Sequence, residues 1–134
     1  MIARVLLFLM ISVSSAAAAD RCPLPGQKPM LLVKMYFGQS MPGGRMVQPR
    51  AWQRFLSTTL TSRFPDGFTV YDAYGQWMDA KMPKPSHERS KVVEIATADS
   101  PASRAAIADI ASSYRQAFHQ QSVGIVTSTA CGAF

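Results

Sequence analysis

One stretch near the start of the chain, over residues 31–38, alternates apolar and mixed side chains and predicts a strand. One of its faces is apolar, with Val33, Met35 and Phe37. The other face is mixed, with Leu32, Lys34 and Tyr36. Successive strand residues point to opposite sides of a sheet, and this contrast is typical of a sheet that helices cover on one side. We therefore place this strand near the middle of the only sheet.

Five further elements follow from the pattern of apolar residues. Helical spacing predicts amphipathic helices over residues 49–63 and 101–119, each with a proline at its first turn. Short runs rich in β-branched and aromatic residues predict strands over residues 68–74, 88–97 and 123–129. Loops are expected where prolines and glycines cluster, over residues 39–48 and 78–85, and the motif Gly75-Gln76-Trp77 is expected to end the second strand.

The order strand, helix, strand, strand, helix, strand predicts an α+β protein with the ferredoxin-like split βαβ fold. In this fold the sheet order is fourth, first, third, second, every neighbouring pair is antiparallel, and two helices cover one face. The other face stays open. We expect it to carry Leu32, Tyr36, Val70, Val92 and Val126, together with Lys34 and Glu94. An open face with an apolar centre is a natural dimer surface, so a homodimer through this face is one predicted partner arrangement.

The first 19 residues read as a signal peptide. Arg4 is followed by a short apolar run and then by Ala17-Ala18-Ala19, the small residues that a signal peptidase recognises. The apolar run is well below the ~20 residues that a membrane-spanning helix needs. We expect an exported protein, periplasmic or secreted, with no membrane segment after signal removal. An extended, proline-rich leader over residues 20–30 and a single domain over residues 31–134 should follow.

Charge and cysteine content narrow the function classes. The formal charge is +6, a modest excess that suits a small or anionic ligand but lacks the basic stripe of a nucleic-acid-binding protein. His87 and His119 are isolated, so we predict neither a metal site nor a cofactor. Cys22 and Cys131 are predicted to form a disulfide in an oxidising compartment. The predicted topology brings both to one end of the sheet, because the last strand runs antiparallel to the first.

The opposite end of the sheet should collect several polar motifs, because the first two strands end there and the last two begin there. The residues expected to meet are Tyr36, Gln76, Trp77, Glu88, Ser90, Lys91 and Gln121. This end is therefore the predicted ligand-binding site.

Six short motifs are spread over most of the predicted domain, from about residue 31 to residue 127. They are Tyr36-Phe37-Gly38, Trp52 with Phe55, Phe64-Pro65-Asp66-Gly67-Phe68-Thr69, Gly75-Gln76-Trp77, Glu88-x-Ser90-Lys91 and Gln121-Ser122-Val123. As a set they resemble a family of small exported bacterial proteins catalogued as a domain of unknown function. The resemblance implies an exported α+β protein and supplies no reaction. A departure at Gln48-Pro49, where more acidic residues are expected, leaves the start of the first helix open.

Two functions remain open from the sequence. The first is a self-associating or small-ligand-binding module that a disulfide stabilises. The alternative is a cofactor-independent enzyme, with Glu88 as general base and Lys91 or Tyr36 as acid or electrostatic stabiliser. Glu88 and Lys91 are three residues apart on a strand, so they begin on opposite faces. They can act together only if a bulge turns one of them.

Overall fold

The computed structural model describes residues 22–78, residue 80 and residues 82–134. The predicted signal peptide, residues 1–19, and the first two residues of the predicted leader lie outside the described residues. The elements follow in the order β1 (Lys28–Gly38), β2 (Ser40–Met41), β3 (Arg45–Met46), α1 (Pro49–Phe55), β4 (Thr69–Trp77), β5 (Ser86–Thr97), α2 (Pro101–Phe118) and β6 (Gly124–Gly132).

The main sheet has the order β4-β5-β1-β6, and all of its neighbouring pairs are antiparallel. This is the predicted ferredoxin-like order, so the prediction of an α+β fold with two helices is confirmed. The segment expected to be a plain loop, residues 39–48, instead contains the small β2–β3 hairpin. Two glycines with positive φ, Gly43 and Gly44, form the turn of this hairpin.

All four strands of the main sheet are longer than predicted, and the largest differences that concern the site are at the start of β1 and at the end of β4. β1 begins at Lys28, inside the predicted leader, and its Pro29 lies opposite Cys131. The pairing with β5 starts only at Leu31, so the missing N–H of the proline removes no hydrogen bond on that side. β4 continues through Trp77, because Gly75 pairs with Glu88 as a regular strand residue.

The core lies between the sheet and the helices. Val33, Met35 and Phe37 are fully buried on the helix-covered face of β1, as the alternation predicts. Phe37 and Tyr114 pack edge to face with ring centroids 4.7 Å apart. This ring pair belongs to an aromatic cluster that also contains Trp52, Phe55 and Phe118. Such edge-to-face pairs add to the stabilisation that burial of the rings provides.

One residue assigned to the open face lies on the other side of the sheet. Val70 pairs with the fully buried Val93 and packs against the core, so it faces the helices. The prediction for Val70 was wrong because the face on which each residue of this half-exposed strand lies depends on the register with β5. The sequence alone does not determine that register.

The predicted helix over residues 49–63 is shorter and changes its pitch. α1 ends at Phe55 and continues as one π-helical turn, Leu56–Leu60, closed by the Thr61 N–H donating to the Leu56 carbonyl at 2.9 Å. The wider turn admits one extra residue. It therefore allows Leu60, five positions after Phe55, to be fully buried.

The predicted disulfide between Cys22 and Cys131 is confirmed, with the two Cα atoms 5.5 Å apart. Cys131 belongs to β6 and lies beside the beginning of β1. Antiparallel pairing of the first and last strands therefore brings the two cysteines to one end of the sheet, as predicted.

We expect loss of this disulfide to lower the free energy of unfolding by about 4–5 kcal/mol, because it closes a long loop in the unfolded chain. The double variant Cys22→Ser/Cys131→Ser tests this by chemical denaturation of the oxidised proteins. Adding reductant should shift the wild-type midpoint to that of the variant and leave the variant unchanged. Equal midpoints for the oxidised wild type and the variant would contradict the expectation.

Candidate functional site

The strand pairing places a row of small residues on the open face, near the C-terminal end of β1. Gly38 lies opposite Ser90, and Ser90 lies opposite Ala73 on β4. The next row toward that end pairs Glu88 with Gly75. Gly38, Ala73, Gly75 and Ser90 carry little side-chain volume, and they form the floor of a shallow recess beside the Glu88 side chain, which we call the Gly38 recess.

Aromatic side chains flank the Gly38 recess on the same face. On one side lies the row in which Tyr36 and Tyr71 both pair with Val92. Val92 is buried although it points away from the helices, and the two tyrosines beside it are partly exposed. On the other side, Trp77 pairs with Ser86 and is also partly exposed. The recess therefore has a tyrosine wall and a tryptophan wall.

The carboxylate of Glu88 lies directly above the backbone of Gly38. A Cβ atom on residue 38 would be 2.6 Å from Oε1 of Glu88 and 2.7 Å from Oε2, so a side chain there would displace the carboxylate from this position. Oε1 accepts a hydrogen bond from the backbone N–H of Ser40 at 2.9 Å. The glycine thus makes room for the carboxylate, and the Ser40 amide fixes its position.

The same segment of backbone is held from the helix side by a buried hydroxyl. The Tyr114 hydroxyl donates to the Gly38 carbonyl at 2.7 Å and accepts from Nε2 of Gln39 at 3.0 Å. Nε2 of Gln39 also donates to the Phe37 carbonyl at 3.1 Å. Both side chains are buried, and buried polar groups need such partners because an unmade hydrogen bond is costly there.

Burial is the main cause that raises the pKa of Tyr114 above its usual value, and the nearby carboxylate of Glu88 raises it further. The hydrogen bond from Gln39 acts in the opposite direction. The hydroxyl therefore stays protonated and remains a donor to Gly38 throughout the physiological range.

A second polar contact ties α2 to this corner. Nε2 of Gln120, just after α2, donates to the Ser40 carbonyl at 2.5 Å. Ser40 therefore binds Glu88 through its N–H and Gln120 through its carbonyl. The predicted residue Gln121 is exposed and lies before β6 begins. The hydrogen bond to Ser40 is made instead by the preceding residue, Gln120.

The structure separates the predicted site residues between the two faces of the sheet. Tyr36, Trp77, Glu88 and Ser90 share the open face, as their register shows. Gln76 and Lys91 lie on the helix side of the sheet, where Gln76 is opposite His87 and Lys91 forms an ion pair with Asp72. No bulge interrupts the β4–β5 pairing in the described residues 69–77 and 86–94, so Lys91 does not reach Glu88.

An ion pair lies on the open face beyond the tyrosine wall. Nζ of Lys34 is 3.1 Å from a carboxylate oxygen of Glu94. Its hydrogen bond and charge attraction with Glu94 raise the pKa of Lys34, and the hydroxyl of Tyr71 contributes to the same shift. The predicted positions of Lys34 and Glu94 on this face are correct, and each neutralises the other.

Three residues that shape the recess were not among the predicted ones: Gln39, Ser40 and Tyr114. One signal was available for Tyr114, because it places a hydroxyl within the apolar stripe of α2 and a buried hydroxyl must find a partner. Gln39 follows Gly38 directly, and nothing in its sequence context distinguishes it from an exposed loop residue.

Among the described residues there is no group of three or more histidine, cysteine or acidic side chains that could hold a metal ion. No described helix is long and apolar enough to cross a membrane. The polar and aromatic groups that line the recess are the Glu88 carboxylate, two phenols, an indole and the Ser90 hydroxyl.

We expect Gly38→Ala to displace the Glu88 carboxylate from the Ser40 amide and to lower the free energy of unfolding by about 0.5–1.5 kcal/mol, the net contribution of one hydrogen bond. Gly75→Ala is the matched control on the same face. A Cβ there would meet nothing closer than 3.9 Å, so its stability should be unchanged or higher. In a Glu88→Ala background Gly38→Ala should cause no further loss, and an equal further loss there would contradict the clash with Glu88.

We expect Tyr114→Phe to lower the free energy of unfolding by about 1–3 kcal/mol, because the Gly38 carbonyl and the Gln39 amide lose a buried partner. Tyr71→Phe, at an exposed hydroxyl, is the control and should be close to neutral. Chemical denaturation at neutral pH measures both.

The pH dependence gives an independent check of Tyr114. Its pKa is higher in the folded protein than the value of about 10 in the unfolded chain, so its contribution is complete below pH ~10 and is lost as the pH rises above that value. Tyr114→Phe should therefore lose less stability than the wild type above pH ~10. Parallel stability profiles for the two proteins would show that this hydroxyl does not titrate as described.

Comparison with solved structures confirms the fold. A phage SAM lyase in complex with S-methyl-5'-thioadenosine superposes with a TM-score of 0.59 over 78% of this chain and 90% of that chain. The sequence identity is 9%, so the similarity concerns the fold alone. No curated protein matches the sequence.

A family model described as "Protein of unknown function (DUF3574)" matches residues 33–134. The match covers all of β4, β5, α2 and β6, most of β1, and with them the Gly38 recess. The sequence resemblance to a domain of unknown function is thereby confirmed, and the chain belongs to this family.

Proposed function

We propose that this protein is an exported small-ligand-binding module whose binding site is the Gly38 recess. The observation that carries the proposal is the position of Glu88. Its carboxylate is fixed above a glycine, at the end of a floor of small residues and between aromatic walls. A few well-placed polar groups within a mainly apolar surface are the usual composition of a ligand site.

The charge of the recess favours a ligand that carries a cationic or hydrogen-bond-donating group. A carboxylate accepts hydrogen bonds from such groups, and the faces of tyrosine and tryptophan rings attract organic cations. The sequence suggested a small or anionic ligand, with Lys91 as its cation. Lys91 is paired with Asp72 on the other side of the sheet, so an anion at the recess would meet Glu88 instead. We therefore favour a cation.

Export and the disulfide support one another in this proposal. The N-terminal pattern of residues 1–19 is that of a signal peptide, and the disulfide between Cys22 and Cys131 is of the kind that persists in oxidising compartments. A periplasmic or secreted protein would meet its ligand outside the cytoplasm.

A cofactor-independent enzyme is the second candidate, because Glu88 and the phenol of Tyr36 share one face. Glu88 would act as general base and Tyr36 as acid or electrostatic stabiliser. Lys91 has no part in this version. The phage SAM lyase of similar fold is an enzyme by its description, and its bound S-methyl-5'-thioadenosine is a reasonable member of a probe panel.

Thermal shifts of the oxidised mature protein test the site. The probes are tetramethylammonium, spermidine, S-methyl-5'-thioadenosine and, as an anion, inorganic phosphate. We expect a cationic probe to stabilise the wild type. Glu88→Gln should weaken its binding about 10-fold or more, because the amide keeps the shape and removes the charge.

Glu94→Gln is the matched control, since it removes the other open-face carboxylate outside the recess. It should keep the thermal shift of the wild type. Identical shifts for Glu88→Gln and the wild type would overturn the assignment of the site, and a response to phosphate alone would overturn the proposed ligand charge. Mass spectrometry of the incubated probes separates binding from turnover.

A further inference from the structure

We propose that a second copy of this chain covers the open face, so that two sheets pack face to face in a homodimer. The proposal goes beyond ligand binding and does not require a ligand. It rests on the composition, size and charge of the face formed by the outward-pointing residues of β4, β5, β1 and β6, which we call the open face.

The open face is much less polar than a solvated sheet surface. Water-facing sides of antiparallel sheets normally alternate polar residues with the buried ones. Here large apolar or aromatic side chains that are at least partly exposed lie on three of the four strands: Leu32, Tyr36, Tyr71, Trp77 and Val126. On the fourth strand, β5, Val92 is already buried. Val126 is 55% exposed and Tyr36 is 41% exposed. Aromatic enrichment with few charges is the composition of an interface centre.

The charges on the open face are arranged in a way that permits contact. The charged residues at the described strand positions of this face are Lys28, Lys34, Glu88 and Glu94. Lys28 is exposed at the disulfide end of the face. Lys34 and Glu94 form an ion pair near the middle, so no isolated charge needs to be buried there. Glu88 lies toward one end and is already hydrogen-bonded to the Ser40 amide.

The size of the open face suits a stable dimer. Four strands, of which the two outer ones are nine residues long, extend over roughly 20 Å by 30 Å at the usual strand spacing and rise. With the relief of its side chains, such an area is comparable to the about 800 Å² that each partner contributes to a standard interface.

A groove with a mixed lining, which includes Arg63, Asp66 and Glu94, adjoins the open face at the disulfide end. It has a volume of about 1060 Å³ and includes Met30, Leu32, Ala96 and Ala130 among its lining residues. The groove therefore continues the open face from the Lys34–Glu94 ion pair toward Cys131.

A second copy is the occupant that these features favour. The exposed apolar side chains stand on a regular sheet of four paired strands, which offers a broad surface that a second sheet of the same width can cover. The Lys34–Glu94 ion pair lies near the middle of that surface. A face that is neutral at its centre can meet its own copy without like-charge repulsion, and a two-fold pair requires such self-complementarity. The second sheet would also cover the Gly38 recess and enclose it.

Molar mass in solution tests the dimer directly. Sedimentation equilibrium of the oxidised mature protein, without any ligand, should give twice the chain mass at high micromolar concentration. Val126→Glu should weaken the dimer at least 10-fold, because it places a charge in the contact. Ile125→Glu is the matched control. It is the neighbouring residue on β6, is 42% exposed and points to the other side of the sheet, so its dimer should persist.

A measurement on the wild type alone covers the case in which a variant fails to fold. Hydroxyl-radical labelling of Tyr71 should fall as the protein concentration rises. Labelling of Tyr74, on the other side of β4, should stay constant. A wild-type monomer at high micromolar concentration would overturn the dimer, as would equal effects of the Val126→Glu and Ile125→Glu substitutions. A monomer that still binds a cation through Glu88 would leave the proposed ligand site intact.

Discussion

The segment that leaves β1 is the point on which the candidate site depends. Its backbone is held on the helix side by the buried hydroxyl of Tyr114, which binds the Gly38 carbonyl. On the open side the carboxylate of Glu88 binds the Ser40 amide. Each contact lies at a place where the chain must change direction into the β2–β3 hairpin. The segment is thus fixed from both faces. Because Gly38 has no side chain, the Glu88 carboxylate can lie directly above the backbone, where the Ser40 amide binds it.

The fold places the disulfide and the candidate site at opposite ends of the sheet. The disulfide joins the leader to β6 at one end, whereas the Gly38 recess lies at the other. Between them the aromatic cluster around Phe37 fills the helix-covered side. Substitutions near Cys131 can therefore change stability while leaving the recess intact. The open face, by contrast, connects both ends, so a partner on that face would reach the groove and the recess at once.

Much of this arrangement was predictable because it depends on local periodicity. The alternation in β1 identified the faces of Met35 and Tyr36 correctly, and the order of elements gave the sheet order. The cysteine pairing then followed from antiparallel strands and an oxidising compartment. Predictions failed where register or pitch depends on distant contacts. Val70 turned to the helix side because of its pairing with β5, and α1 widened into a π turn that allows Leu60 to be buried.

The sequence by itself determined the elements, their order and the end of the sheet at which the polar motifs collect, since these follow from chain connectivity and residue spacing. Only the tertiary structure decided which of those motifs share a face. Glu88 shares the open face with Tyr36 and Trp77. Lys91 lies on the other face, where it forms an ion pair with Asp72. Gln39 and Tyr114 are hydrogen-bonded to each other on the helix side of Gly38. The physical reason is that the side chains of a site must lie on the same face of the sheet. The face of each side chain is set by strand register, and its position also depends on the space that small neighbouring residues leave.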